Sequence, residues 1–88
     1  MNRCRLTHIR TTAQFYDEVA RQLDLPSYFG RNLDALWDAL TGDVEGPVEI
    51  VWEGTDEART SLGPDYAKLV KLLEDVAAER DDFTLTLR

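Results

Sequence analysis

The sequence predicts a small α/β domain, in which a three-stranded parallel sheet is packed with helices in the order β-α-α-β-α-α-β. Two observations indicate the elements: three short segments have strand-like apolar patterns, and apolar stripes at helical spacing lie between them. A third observation indicates the topology, because each connection between strands is long enough for the crossover that parallel pairing requires. A chain of 88 residues accommodates one such domain, which we expect to span 1–88.

The first strand is predicted over Cys4 to Ile9, where apolar and polar residues alternate weakly. A helix is expected to begin after Thr11, because Thr11 and Gln14 have the spacing of a capping box. Its core-facing residues recur every fourth position, at Phe15, Val19 and Leu23. Pro26 is expected to end this helix and to leave a loop from Leu25 to Gly30.

The second helix is predicted to begin at Asn32, a residue type that caps helix N-termini. Its apolar stripe has the spacing i, i+3, i+4, i+7, at Leu33, Leu36, Trp37 and Leu40. Gly42 is expected to end it as a C-terminal glycine. The next strand, Val48 to Trp52, is apolar except at Glu49, which predicts a buried strand.

The second half of the chain repeats the helix-helix-strand order. A third helix is predicted from Thr55 to Gly63, and Pro64 is suited to the first turn of a fourth. The fourth helix has an apolar face at Leu69, Leu72, Leu73 and Val76. The last strand is predicted where Phe83, Leu85 and Leu87 alternate with threonines, a pattern that indicates one buried face.

The acidic residues are concentrated in one part of the chain. The net charge is −7, and the stretch from Asn32 to Ala58 contains eight acidic residues and no basic one. This charge argues against a general nucleic-acid-binding role, which needs a basic surface, and against binding to anionic membranes. The stretch is either a solvated acidic face or one docking surface for a basic partner.

Other features offer little support for catalysis. Cys4 is the single cysteine, and we expect a buried structural thiol rather than a nucleophile. His8, the single histidine, has no motif around it and is expected to be structural or exposed. No metal-binding, phosphate-binding or nucleophile-elbow motif is present, so no metal or cofactor is expected. No secretion signal or long apolar run is visible, which favours a cytoplasmic location.

Two aspartates on the second helix invite a functional interpretation. Asp34 and Asp38 are four residues apart and fall on an exposed flank, away from the apolar stripe. The helix dipole favours Asp34 near the N-terminus but disfavours Asp38 near the C-terminal end, so helix stability explains only Asp34. Paired carboxylates also occur in metal sites and in acid–base catalysis, but those need partner groups that the sequence does not indicate.

The segment Leu25 to Gly42, LPSYFGRNLDALWDALTG, closely resembles the hallmark segment of the barstar family. The likeness extends to Pro47–Trp52 and to the last strand, Phe83–Leu87. It implies a barstar-like fold and a protein that inhibits an extracellular microbial guanyl-specific ribonuclease. In the family the second helix and the loop before it block the enzyme's active site as a decoy for RNA, in a one-to-one complex. The resemblance implies no enzymatic activity.

The resemblance also implies which residues bind the enzyme. Asp38 matches the principal anchor, whose carboxylate takes the place of a substrate phosphate, and Asp34 matches a second acidic contact. Tyr28 matches an aromatic residue that packs on the enzyme, whereas we expect Phe29 to lie in the core. Alignment from the C-terminus places a more remote acidic contact at Asp75, with Glu74 as the alternative. The remaining matched positions are Gly30, Asn32, Leu33, Trp37 (also a core candidate), Thr41 and Gly42.

Three departures from the family pattern are notable. Asp43 replaces an aromatic residue on the binding surface, which suggests a cognate ribonuclease other than barnase. Ala39 and Asp81 stand where the family has cysteines. Gly46–Pro47 matches a peptide bond that is cis in the family.

Two other functions remain open. One is a barstar-like module for another basic protein, such as a different nuclease or a toxin, and the other is a metal- or carboxylate-dependent enzyme. The free protein is expected to be a monomer that binds neither nucleic acid nor membranes.

Overall fold

The computed structural model describes residues 1–88 and contains one sheet of three parallel strands. The strands are β1 (Asn2–Leu6), β2 (Val48–Trp52) and β3 (Phe83–Leu87), with β2 in the centre. The helices are α1 (Thr12–Gln22), α2 (Leu33–Asp38), α3 (Thr55–Leu62) and α4 (Pro64–Glu79). A π-helical turn, Ala39–Asp43, extends α2 and is called the π turn below. The predicted fold class and element order are confirmed.

The strand order explains why one face of the sheet is covered. The connection from β1 to β2 and the connection from β2 to β3 cross the sheet in the same direction. Right-handed crossovers in one direction place their helices on the same side of the sheet. The buried strand side chains share that side: Cys4, Leu6, Val48, Ile50, Trp52 and Phe83. The prediction of a buried β2 is correct for one face only, because Glu49 and Val51 lie on the opposite, open face and are half-buried.

The core is one cluster of 22 buried hydrophobic residues beneath the covered face. Its aromatic centre is Trp52, whose ring centroid lies 5.1 Å from that of Phe15 and 5.2 Å from that of Tyr66. Cys4 is fully buried in this cluster, as predicted, and burial raises the pKa of its thiol to about 12. The thiol is therefore neutral near pH 7 and not a nucleophile.

Two predicted boundaries at the amino-terminal end are wrong. β1 runs from Asn2 to Leu6, rather than from Cys4 to Ile9, because its length is set by pairing with the five residues of β2. His8 lies beyond the strand in an exposed turn with a φ of 55°. α1 ends at Gln22, before the proline, and the chain turns away through Asp24, which also has a positive φ of 54°.

The predicted caps are largely confirmed. Thr11 and Gln14 form the capping box of α1, and the Asn32 side chain caps α2. Gly63, with a φ of 61°, ends α3, and Pro64 opens α4 directly after it. The Gly46–Pro47 peptide bond is cis. None of the helices has both the length and the apolar character needed to cross a lipid bilayer.

Candidate functional site

α2 presents its acidic residues to solvent because its apolar stripe is held against the core. The Asn32 side-chain oxygen accepts a hydrogen bond from the Ala35 amide at 2.8 Å, which anchors the first turn. Leu36 and Leu40 are fully buried. Asp34 and Asp38 are both exposed, as the helical wheel predicts.

The expected stop at Gly42 is wrong. The chain continues past Asp38 into the π turn, which the Val44 amide closes by donating to the Ala39 carbonyl at 3.1 Å. Gly42 does not have the positive φ of a C-terminal cap; it lies exposed within the turn. Asp43, rather than Asp38, is therefore the acidic residue at the C-terminal end of the helical segment formed by α2 and the π turn. The Thr41 hydroxyl donates to the Trp37 carbonyl at 2.7 Å.

A recess of about 240 Å³ lies between the loop before α2 and the helix itself. Its carboxylates come from Asp38 and Asp43, and Tyr28 at its edge is 84% exposed. Phe29 is buried in the core, as predicted. The loop packs tightly on α2, since a Cβ atom on Gly30 would lie 3.3 Å from that of Ala35. The residues lining the recess are Pro26, Tyr28, Phe29, Gly30, Ala35, Asp38, Ala39 and Asp43.

A shallow groove of about 360 Å³ lies on another side of α2, against α4. It is lined by Leu33, Asp34, Trp37, Lys68, Lys71, Leu72 and Asp75. The groove thus brings Asp75 together with Asp34 and Trp37, whereas Glu74 is not part of its lining. The Asp75 carboxylate is not free, because the Lys71 ammonium lies 3.3 Å from it. Trp37 is half-buried, as expected for a residue that belongs to both the stripe and the surface.

The eight acidic residues of the acidic stretch do not form one surface. Glu49 and Glu53 lie by the open face of the sheet, paired with Arg3 and Arg5. Two more, in α3, are also paired: Asp56 with Arg59 and Glu57 with Arg10. Four acidic residues have no ion-pair partner, namely Asp34, Asp38, Asp43 and Glu45. Within this stretch, the unpaired carboxylates therefore lie on α2, on the π turn and at Glu45 just after it.

Sequence reasoning missed Arg80, which follows α4 and contacts the π turn. Its side chain is only 14% exposed, and it donates hydrogen bonds to the carbonyls of Leu40 and Val44. Hydrogen bonds from its guanidinium also lower the pKa of the Asp82 carboxyl. No local signal marks Arg80, because its carbonyl partners lie 36 and 40 residues away in the chain.

The arrangement is suited to binding a cationic partner. No group of three or more His, Cys, Asp or Glu side chains is placed to hold a metal ion. Asp38 and Asp43 have neither a histidine nor a lysine beside them in the recess. Exposed carboxylates next to an apolar wall can accept charge-assisted hydrogen bonds from the cations of another molecule.

Comparison with known proteins places the chain among its relatives. The chain is 36% identical over 73 residues to "Putative ribonuclease inhibitor YrdF" of Bacillus subtilis (strain 168), covering 82% of this chain and 80% of that protein. It is 32% identical over 71 residues to "Bud site selection protein 3 homolog" of Eremothecium gossypii, where the match covers 81% of this chain but only 5% of the larger protein. The family model described as "Barstar (barnase inhibitor)" matches residues 1–88. The chain therefore belongs to the barstar family.

Proposed function

We propose that this protein is the cytoplasmic inhibitor of a secreted microbial guanyl-specific ribonuclease. It blocks the enzyme's active site in a one-to-one complex and catalyses no reaction itself. Membership of the barstar family and the name of the Bacillus relative support ribonuclease inhibition. The observation that carries the mechanism is the recess beside α2, where two unpaired carboxylates, Asp38 and Asp43, lie next to the exposed ring of Tyr28.

The chemistry of ribonuclease active sites explains why a protein with such a recess would inhibit a ribonuclease. An enzyme that cleaves a phosphodiester must hold a phosphate, and it does so with arginine, lysine or histidine side chains. A carboxylate accepts charge-assisted, often bidentate hydrogen bonds from the same cations, but it offers no bond to cleave. Asp38 takes the place of the phosphate. The apolar wall of the recess excludes water and strengthens the pairing, although desolvation offsets part of the gain.

The remaining contacts surround this anchor. Tyr28 and Gly30 border the recess, and Leu33, Asp34, Trp37 and Asp75 border the groove on the other side of α2. Asn32, Thr41, Gly42 and Asp43 complete the surface at the two ends of the helix. A standard interface covers about 800 Å² of each partner. Of the 5193 Å² exposed by this chain, it would occupy about a sixth.

Asp43 favours a partner richer in cations than barnase. It stands where the family pattern has an aromatic residue, and it adds a second carboxylate to the recess that holds Asp38. The same observation favours a second candidate function, a module that binds a basic protein other than a guanyl-specific ribonuclease. Another nuclease, or a toxin with a cationic site, would present cations to the same two carboxylates.

Inhibition of a panel of ribonucleases by the purified protein tests the proposal. We expect near-stoichiometric inhibition of at least one small guanyl-specific enzyme. Asp38→Ala removes the anchor and leaves the partner's cations buried without a counter-charge. We expect a loss of about 2–5 kcal/mol in binding free energy, which corresponds to inhibition that is weaker by about 30-fold to several thousand-fold. Asp56→Ala, which removes the same charge from α3, is the matched control and should inhibit as well as the wild type.

Two results would contradict the proposal. Equal inhibition by the wild type and by Asp38→Ala would exclude phosphate mimicry by this carboxylate. Failure to inhibit any guanyl-specific enzyme, together with inhibition or tight binding of another basic protein, would favour the second candidate instead.

A further inference from the structure

We propose that Arg80 is a positioning residue for the inhibitory surface: it holds the carboxyl end of α2 and the π turn in the shape that presents Asp43 and its neighbours. The inference rests on the proposed function, because it concerns the same surface. Arg80 lies 40 residues beyond Leu40 in the chain and acts through the backbone rather than by touching the partner.

The π turn ends in carbonyl groups that need donors. The last carbonyls of a helix have no amide partner within the helix itself. One Arg80 guanidinium nitrogen, Nη1, donates to the Leu40 carbonyl at 2.6 Å and to the Val44 carbonyl at 2.8 Å. These two carbonyls bracket Thr41, Gly42 and Asp43. A single cation therefore ties together both ends of the segment that carries these three proposed contacts.

The guanidinium is itself held in place. Asp82 accepts hydrogen bonds from Nε at 2.9 Å and from Nη2 at 3.0 Å, the bidentate geometry that fixes a guanidinium in one plane. Gly46 packs against this pair. A Cβ atom on Gly46 would lie 2.7 Å from Arg80 Nη2 and would also collide with the Asp82 carboxylate. The backbone that leads from the π turn to β2 thus passes directly over the Arg80–Asp82 pair.

The location of this cation matters because the acidic stretch has none of its own. No basic residue occurs from Asn32 to Ala58, and the carboxylates of Asp34, Asp38, Asp43 and Glu45 are unpaired. A positive charge at the carboxyl end of a helix is favourable. Arg80 supplies that charge from the end of α4, largely buried beneath the turn, and leaves the exposed carboxylates available to a partner.

The test compares dissociation rates from the ribonuclease that the wild type inhibits. We expect Arg80→Ala to dissociate about tenfold faster, since coupling through a displaced backbone is typically worth about that factor. Arg80→Lys keeps the charge but not the planar fork, so it should not restore the wild-type rate. Arg3→Ala, which removes an exposed arginine from the open face of the sheet, is the matched control and should dissociate as the wild type does.

A second measurement does not depend on inhibition. Hydrogen exchange of the free protein should show faster exchange at the Val44 amide in Arg80→Ala than in the wild type, because this amide closes the π turn. The amide of Ile50 in β2 should change less and serves as the internal reference. A general loss of stability would accelerate both amides alike. If Arg80→Ala does not fold, Asp82→Asn carries both measurements and should shift them in the same direction.

The outcomes separate the two proposals. If the wild type inhibits and Arg80→Ala dissociates at the same rate, or if Arg80→Lys restores the rate fully, the positioning role is wrong while the proposed function stands. If the wild type inhibits nothing, the proposed function fails, and exchange at Val44 then decides the positioning role. Unchanged exchange at Val44 would overturn that role, and selectively faster exchange would support it.

Discussion

Tyr28 and Phe29 are adjacent in the chain, but Tyr28 is 84% exposed and Phe29 only 8%. The ring of Phe29 packs near that of Tyr16, where a phenyl group needs no hydrogen-bond partner. The ring of Tyr28 lies at the recess with its hydroxyl available to water or to a partner. A large exposed aromatic side chain contributes little to the stability of the free protein, which supports the proposed contact between Tyr28 and the enzyme.

The surroundings of a single side chain also favour Asp75 over Glu74 as the proposed contact. Only Asp75 lines the groove with Asp34 and Trp37, so we expect Asp75→Ala to weaken inhibition and Glu74→Ala to leave it unchanged. The effect should be small, about 1 kcal/mol or about fivefold in the inhibition constant, because the carboxylate is exposed and already paired with Lys71. Inhibition constants of the two variants under identical conditions provide the measurement. A larger loss in Glu74→Ala would show that the helix contributes the other acid.

At the scale of the element, α2 depends on the capping residue that precedes it, Asn32. The helix has only six residues, too few to be stable alone, and its first turn is capped by the Asn32 side chain. We expect Asn32→Ala to lower the free energy of unfolding by about 1 kcal/mol in urea denaturation. Asn32→Ser retains a capping oxygen and should lose much less. Equal stability of the two variants would show that the cap contributes nothing to the fold.

The carboxyl end of α2 shows where local signals mislead. Gly42 has the position of a C-terminal cap, yet the chain passes through it in a π turn. The turn is supported from outside α2, by Arg80 on the Leu40 and Val44 carbonyls. A glycine is compatible with several conformations, so the tertiary contact selects among them.

At the scale of the whole molecule, the acidic stretch 32–58 carries its unpaired carboxylates in one region. Four of the eight acidic residues in the stretch 32–58 are paired, and the other four lie along α2, the π turn and the residues just after it. We expect this negative region to steer a cationic enzyme, so that the association rate falls as ionic strength rises. Stopped-flow association rates over a range of salt concentrations measure the slope.

A pair of charge-neutralising variants tests this localisation. Asp43→Asn should flatten the salt dependence, whereas Asp65→Asn, in the first turn of α4, should change it less. A salt-independent association rate in the wild type would contradict steering altogether. Equal salt dependence of the association rate in the two variants would show that this rate depends on the net charge rather than on the position of the charge.

The sequence alone predicted the order of the elements and the last two strands. It also predicted the caps at Thr11, Asn32 and Gly63 and the exposed flank of Asp34 and Asp38. Each depends on residues within a turn or two, where spacing and residue type suffice. Five features were not predictable: the end of β1, the open face of the sheet, the π turn, the pairing of the acidic residues and the role of Arg80. They depend on contacts between residues that are remote in the sequence, such as Arg80 with Leu40 or Arg3 with Glu49. Folding brings these groups together, and no local pattern records which partner each will find.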